Sequence, residues 1–388
     1  GDPMPGHITQ EGKGIWRIVV EAGRDPATGK RKRIVRRYRG RKAEAEEILT
    51  QLLAELRQGS YIEPSRLTVA EWLDTWLNEY KRADLRPRTW ESYEIIVRNH
   101  LVPAIGALPL QSLRPEHLQK LYNEKTAQGY SPQTVHHINK VIHGALEQAI
   151  KNRLIQHNPA KAVTLPRLKR DEIQVMTREQ QTRFIEALAD HPLGVAFLVL
   201  LGTGIRRGEL LGLHWADVDL EEGVIYIRNN LVQVKGRGLV LQEPKTEKSK
   251  RIIPLPRAVL EELKRHQERM REAGLYDPED PNTPVFCSGE GNYIWPRNFS
   301  RAYDALRRKA GIEGITLHAL RHTFATNLLE QGENLKVVQE LLGHAKIATT
   351  ADIYSHVAPE IKRKAVKKLD QLFHPGTNRA PISENDKI

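Results

Sequence analysis

Thr316-Leu-His318-Ala-Leu-Arg321-His322-Thr-Phe324 is the stretch from which the rest of the chain can be read. His318 and Arg321 stand three apart, as neighbours on one helix face do, while Leu317, Leu320, Phe324 and Leu328 supply an apolar stripe for the core. His318 and His322, four apart, also have the spacing of a helical metal pair. Ala319 stands where a metalloprotease-type helix would carry glutamate, however, and no third ligand is evident, so no metal is expected. A lone histidine on such a helix is ordinarily a packing residue. An arginine beside it makes the pair a candidate anion site.

Three other short strings extend the set. In Gly202-Thr-Gly204-Ile-Arg206-Arg207-Gly-Glu209-Leu210-Leu211 a glycine-rich turn precedes a helix, where N–H groups and an arginine can face an anion. The phosphate-loop pattern with its Gly-Lys-Ser/Thr end is absent, so ATP has no cradle. Pro244-Lys245-Thr246 falls where a hairpin with arms at 240–241 and 251–255 would project a lysine over a cleft. Leu341-Leu342-Gly343-His344 reads as a helix ending on a glycine, followed by Tyr354 ten positions later. Taken singly, each has an ordinary explanation: an exposed arginine, a solvated lysine, a packed tyrosine.

Composition narrows the class. At 388 residues the chain suggests two or three domains, and its 39% hydrophobic content is enough for real cores. No apolar run approaches the ~20 residues of a membrane span, and no apolar signal segment is seen near the start, where Gly-Asp-Pro before Met4 reads as an expression remnant. A single cysteine, Cys287, excludes a disulfide scaffold, a cysteine-ligated zinc finger and an iron–sulfur site, and suits the cytoplasm. Lys plus Arg number 60 against 48 acids, a net charge of +12, which points to a polyanionic partner such as nucleic acid. The charge is focused: between Arg24 and Lys42 there are ten basic residues and one acid, Asp25.

Periodicity divides the chain. Residues 7–59 read as two or three strands, one alternating over 15–21 and one rich in arginine over 30–38, joined by the turn Asp25-Pro-Ala-Thr-Gly29 and followed by a helix over 42–56. A β-ribbon bearing Arg31, Arg33, Arg36 and Arg37 fits a major groove, although a basic hairpin can also be passive. Residues 66–164 read as a helical bundle, with a capping box at Thr68 and Glu71 and further starts near Arg88, Pro115 and Ser131-Pro132. Arg88 and Lys140 on this bundle are candidate phosphate contacts, as are Arg167, Lys169 and Arg170 of the basic link Leu165-Pro166-Arg167-Leu168-Lys169-Arg170. Residues 171–373 mix helices with a short sheet, and 374–388 carry the composition of a disordered tail.

Taken together, Thr-Gly-Ile-Arg206, Pro-Lys245-Thr, His318-Ala-Leu-Arg321-His-Thr, Leu-Gly-His344 and Tyr354 make the chain resemble the tyrosine recombinases, the phage-integrase family. The resemblance implies a multidomain protein: a small sheet-plus-helix arm-type DNA-binding domain, a helical core-binding domain and a mixed α+β catalytic domain. It implies a site-specific recombinase that cleaves and rejoins double-stranded DNA through a covalent 3′-phosphotyrosine and a four-way junction, integrating and excising a mobile element. Arg206, Lys245, His318, Arg321, His344 and Tyr354 would be catalytic, Tyr354 the nucleophile, with no cofactor, ATP or metal. A tetramer on DNA, an excisionase and a host DNA-bending protein are the implied partners. The basic first segment leans toward the integrases of conjugative transposons and phages.

Two rivals share parts of this pattern. A type IB topoisomerase has the same nucleophile and clamp but needs no arm domain. A DNA-binding regulator would have no use for Tyr354 and Lys245 together.

Overall fold

Alternation of apolar and polar residues over 15–21 becomes a strand because one face can then be buried beneath a helix. In the computed structural model, which describes residues 5–169, 172–344 and 346–373, β1 (Gly6–Gly12), β2 (Ile15–Arg24) and β3 (Arg31–Arg39) form an antiparallel sheet in that order. The β2–β3 turn is closed by Asp25, whose backbone N–H donates to Lys30 O at 2.8 Å and whose carboxylate accepts from Ala27 N at 2.8 Å. Ile18, Val20 and Ile34 point to one face and pack with Ala45 and Leu52 of α1 (Lys42–Gln58).

Pairing places Arg17 opposite Arg37 and Glu21 opposite Arg33, so Arg31, Arg33 and Arg37 lie on the face away from α1. Arg36 has the other parity. It lies on the helix side and donates to the Tyr61 hydroxyl at 3.1 Å. The arginines expected to act together are therefore divided between two faces.

The chain divides near Lys169 into two compact units. The first holds the sheet and a bundle with a separate core: α2 (Val69–Thr75), α3 (Pro87–Ile96), α4 (Val102–Ile105), α5 (Pro115–Ala127) and α6 (Pro132–Lys151). Wider π-helical turns, Trp76–Lys81 and Val97–Leu101, extend α2 and α3. The Thr68 capping box forms as the sequence predicts, Glu71 N donating to Thr68 Oγ1 at 3.2 Å and Thr68 N to the Glu71 carboxylate at 3.2 Å. Val135, Ile138, Val141, Ile142 and Leu146 of α6 are fully buried, and Trp72 Nε1 donates to Ala145 O at 2.8 Å.

The second unit is mixed α+β. It runs through α7 (Arg178–Leu188), α8 (Gly194–Thr203), α9 (Arg207–Leu211), β4 (Val218–Asp219), β5 (Val224–Ile227), β6 (Asn230–Val234), β7 (Gly238–Gln242), β8 (Arg251–Pro254), α10 (Arg257–Glu272), α11 (Pro296–Lys309), α12 (Ala319–Glu330), α13 (Leu335–Leu342), α14 (Ile347–Lys367) and α15 (Asp370–Phe373). One expectation needs correction. Residues 240–241 and 251–255 are not arms of one hairpin: β7 pairs with β6 through the turn Lys235–Arg237, and β8 joins β5. Burial decides the pairing, because Ile225, Ile227 and Ile253 share the covered face while Ile252 turns outward. Near the end of the unit, the residues after Pro359 continue the helix that carries Tyr354. Pro359 lies inside α14, which runs unbroken from before Tyr354 to Lys367. Arg170, Asp171 and the expected tail at 374–388 lie outside the described residues.

Candidate active site

α8 is apolar as far as Thr203 and ends on Gly204, whose φ of +66° and close approach exclude any side chain: a Cβ there would sit 2.2 Å from Phe324 Cδ1. That tight stop turns Gly204 O toward α12, where Arg321 Nη1 donates to it at 2.6 Å, while Arg321 Nη2 donates to Leu342 O at the end of α13. Arg321 is only 3% exposed. Burial and then the neighbouring Arg206 charge draw its pKa down to about 9, which leaves it cationic at neutral pH.

Arg206 stands at the N-cap of α9. Its backbone N donates to Glu209 Oε2 at 2.9 Å and its Nη1 to Glu209 Oε1 at 3.1 Å, with the Arg206 side chain 40% exposed and that of Glu209 4% exposed. Burial opposes the Glu209 charge, but Arg251 and Arg206 outweigh it and hold the carboxyl below its ordinary range. Arg251 was not legible as part of this cluster. It closes on Glu209 through Nη1 at 3.1 Å and Nη2 at 2.9 Å. The only signal is an arginine opening the apolar run Arg251-Ile-Ile-Pro-Leu255, a place where a charge is rarely buried unless paired.

His318 precedes α12, and its ring meets that of His322 edge-on at 4.9 Å. The ring reaches solvent, yet the surrounding protein, then His322 and the charges of Arg321 and Arg206, favour its neutral form and bring the His318 pKa to about 4. His344 follows Gly343 at the end of α13; burial, then Arg321 and Arg206, bring it to about 4 as well. Its Nδ1 is 2.8 Å from the hydroxyl of fully buried Thr350, so Nε2 is the nitrogen to offer a substrate. Thr350 lies one turn before Tyr354 on α14, which ties His344 to the tyrosine's helix.

Tyr354 is half-buried and packs against the cluster of Phe324, Leu342 and Ile353. Lys245 is exposed in the loop between β7 and β8. Neither makes a hydrogen bond or ion pair to another described residue, so the structure brings together Arg206, Arg321, His318 and His344 but records no contact from Lys245 or Tyr354 to them. Arg88, Lys140, Arg167 and Lys169 are exposed in the first unit. Among the described residues no group of three metal-ligand side chains converges, and no helix is long and apolar enough to cross a membrane.

The histidines set a pH dependence. Each has a folded pKa below the ordinary 6.5, so the unfolded chain binds more protons between about pH 6.5 and about pH 4. Stability is expected to be full above that window and to fall as pH drops through it. Thermal unfolding of the parent at several pH values should show this slope, and His318→Asn with His344→Asn should flatten it. An unchanged slope in the double variant would refute the assignment.

Chemically, two guanidiniums, one fixed by a carboxylate and one by carbonyls, lie with two neutral imidazoles. Such a cluster can hold an oxyanion. Comparison with known proteins agrees. The model described as "Phage integrase family" matches residues 166–360, and "Phage integrase, N-terminal SAM-like domain" matches 68–126. A "Tyrosine recombinase XerC-like" protein of Caldanaerobacter subterraneus subsp. tengcongensis is 33% identical over 95% of this chain and 98% of its own length. The fold is similar to the Tn1549 transposon integrase in complex with a circular intermediate DNA (TM-score 0.69, 24% identity, 78% of this chain and 99% of that one). It is also similar to a lambda integrase tetramer bound to a Holliday junction (TM-score 0.56, 19% identity, 91% and 95%).

The class is thus an enzyme of site-specific DNA recombination. The chain belongs to the phage integrase family, as a tyrosine recombinase.

Proposed function

We propose that the chain integrates and excises a mobile element by cutting and rejoining one DNA strand at a time with Tyr354. The observation that carries this reading is the convergence of Arg206, Arg321, His318 and His344, close enough for the arginine charges to act on both histidines. The phenol oxygen attacks a backbone phosphorus, a 3′-phosphotyrosine bond forms, and the 5′ oxygen leaves with a proton supplied by Lys245. A 5′ hydroxyl from a partner strand reverses the step and gives a four-way junction. Arg206 and Arg321 balance the charge of the pentacoordinate transition state, with His318 and His344 as further donors. Recombination between two plasmids carrying the element's ends, with and without Tyr354, tests the whole reading: recombinants that persist without Tyr354 would overturn it.

Lys245 sits on an exposed loop, as a group that must reach a leaving oxygen would. Lys245→Ala is expected to cleave ordinary DNA at least about tenfold more slowly and to recover on a substrate whose bridging 5′ oxygen is sulfur, a leaving group that needs no proton. Continued inactivity on the sulfur substrate would remove Lys245 from this role.

For DNA contact we assign residues 7–59 to arm-type sites, 66–164 to core sites and 171–373 to catalysis. Arg31, Arg33 and Arg37 share the sheet face that would meet DNA, whereas Arg36 supports the link to Tyr61. Arg88, Lys140, Arg167 and Lys169 are exposed phosphate contacts, and Arg170 belongs with them by sequence. The lambda integrase tetramer on a Holliday junction supports a tetramer on DNA, and the likeness to a transposon integrase supports a conjugative element. An excisionase, a host DNA-bending protein and a cytoplasmic setting complete the proposal.

Beyond Ile361 the end of the chain exposes Val366, Leu369, Leu372 and Phe373, the last two at 72% and 75%. A second copy of the chain is the partner this apolar face suits. Truncation after residue 363 keeps Val357 and Ile361 on their cluster. It is expected to leave binding to a single site unchanged and to weaken assembly of the two-duplex complex, both measured by gel shift. Equal loss of both would reject docking between copies.

A further inference from the structure

Arg251 opens β8 directly after the loop that carries Lys245. Its side chain is 6% exposed, and its hydrogen bonds reach Glu209, Leu341 and Ser249, on three different segments. Nη1 and Nη2 donate to the two oxygens of Glu209 at 3.1 and 2.9 Å. Those oxygens also accept from the Arg206 side chain at 3.1 Å and from its backbone N at 2.9 Å. Nε donates to Leu341 O at 2.7 Å, and Nη1 to Ser249 O at 2.8 Å.

The guanidinium is also in direct contact with the helix end that leads to His344. Gly343 has a φ of +68°, and a Cβ there would lie 2.8 Å from Arg251 Nη1 and 3.0 Å from Cζ. One planar group therefore touches three segments: the start of α9 with Arg206, the end of α13 with His344, and the end of the Lys245 loop.

Only arginine offers this geometry, with five N–H donors in a rigid fork, whereas lysine offers a point charge. Burying such a pair adds little net stability, because desolvation cancels much of the attraction. A core could fill the space as well with apolar groups, so what the pair contributes is placement. We propose that Arg251 is a positioning residue that sets Arg206, His344 and the Lys245 loop in register for strand cleavage. It does not touch the substrate. This inference rests on the active-site reading given above.

The test uses the full chain and a nicked suicide duplex bearing its recombination site, with affinity and single-turnover cleavage at saturating DNA measured separately. Arg251→Lys is expected to bind within about twofold of the parent and to cleave at least about tenfold more slowly. Adding Glu209→Gln should cost little more, because both act through the same contact. Should Arg251→Lys fail to fold by circular dichroism, Glu209→Gln combined with Arg251→Met removes both charges of the buried pair and takes its place, with the same split expected. Parental cleavage by the folded variant, or a parallel fall in binding and cleavage, would overturn the proposal. Arg206→Ala run alongside separates the two levels. If it cleaves normally, the active-site reading fails; if it is inactive while the Arg251 variant is not, only the positioning role fails.

Discussion

Tyr354→Phe is expected to bind recombination-site DNA like the parent and to form no covalent protein–DNA adduct on a nicked suicide duplex. The ring stays, so packing against Phe324, Leu342 and Ile353 is kept. No hydrogen bond to another described residue is lost with the hydroxyl, and stability should shift by no more than about 0.5 kcal/mol. What disappears is the attacking oxygen. Removing a nucleophile that forms a covalent intermediate costs roughly 10⁴-fold or more, since no neighbouring group can take over the same geometry. An adduct resistant to denaturing gel electrophoresis in the Phe variant would place the nucleophile elsewhere.

The second large effect belongs to Arg321, and its mark is that stability and chemistry fall together. Arg321→Ala removes the donor to Gly204 O and to Leu342 O, both inside the fold. Leaving buried carbonyls without partners costs about 1–3 kcal/mol each, so unfolding by urea should shift by several kcal/mol at most and about two at least. The lost charge-assisted bonds to a phosphate, worth ~1.5–3 kcal/mol each, slow cleavage by about tenfold to several hundredfold. Arg206→Ala should behave differently. Its side chain is 40% exposed and Glu209 keeps Arg251 as a partner, so cleavage should fall while the unfolding midpoint stays near the parent's. An Arg321→Ala protein as stable as the parent would contradict the buried role seen here.

Local structure was readable wherever chemistry acts between near neighbours. The Thr68–Glu71 box, the Ser131 cap before Pro132 and the glycine stop at Gly343 each need only a few residues to form. Pairing of β6, β7 and β8 was not readable, because which strand meets which is decided by burial of Ile225, Ile227 and Ile253 against the rest of the unit. Period two in β3 separates Arg36 from Arg33 and Arg37, yet the sequence does not tell which face the helix will cover.

At the active site, the catalytic candidates were found through motif strings, whereas their convergence is a property of the fold. Arg206 and Arg321 are brought together by Gly204 O and the ends of α12 and α13, contacts that no local spacing encodes. Arg251 escaped notice for the same reason: its partners Glu209, Leu341 and Gly343 are distant in sequence. Pro359 is a local signal that the fold overrides. Proline usually ends a helix because it lacks a donor and crowds the preceding turn, but here α14 continues past it.

That continuity gives the phenol a long handle. From Tyr354 to Lys367 the helix spans ~20 Å at the usual rise per residue, with no loop between to absorb a twist. Whatever grips the far end therefore turns the near end as well, and under the proposed mechanism the angle at which Tyr354 would meet a phosphorus is set as much by what holds the tail as by the pocket around the ring.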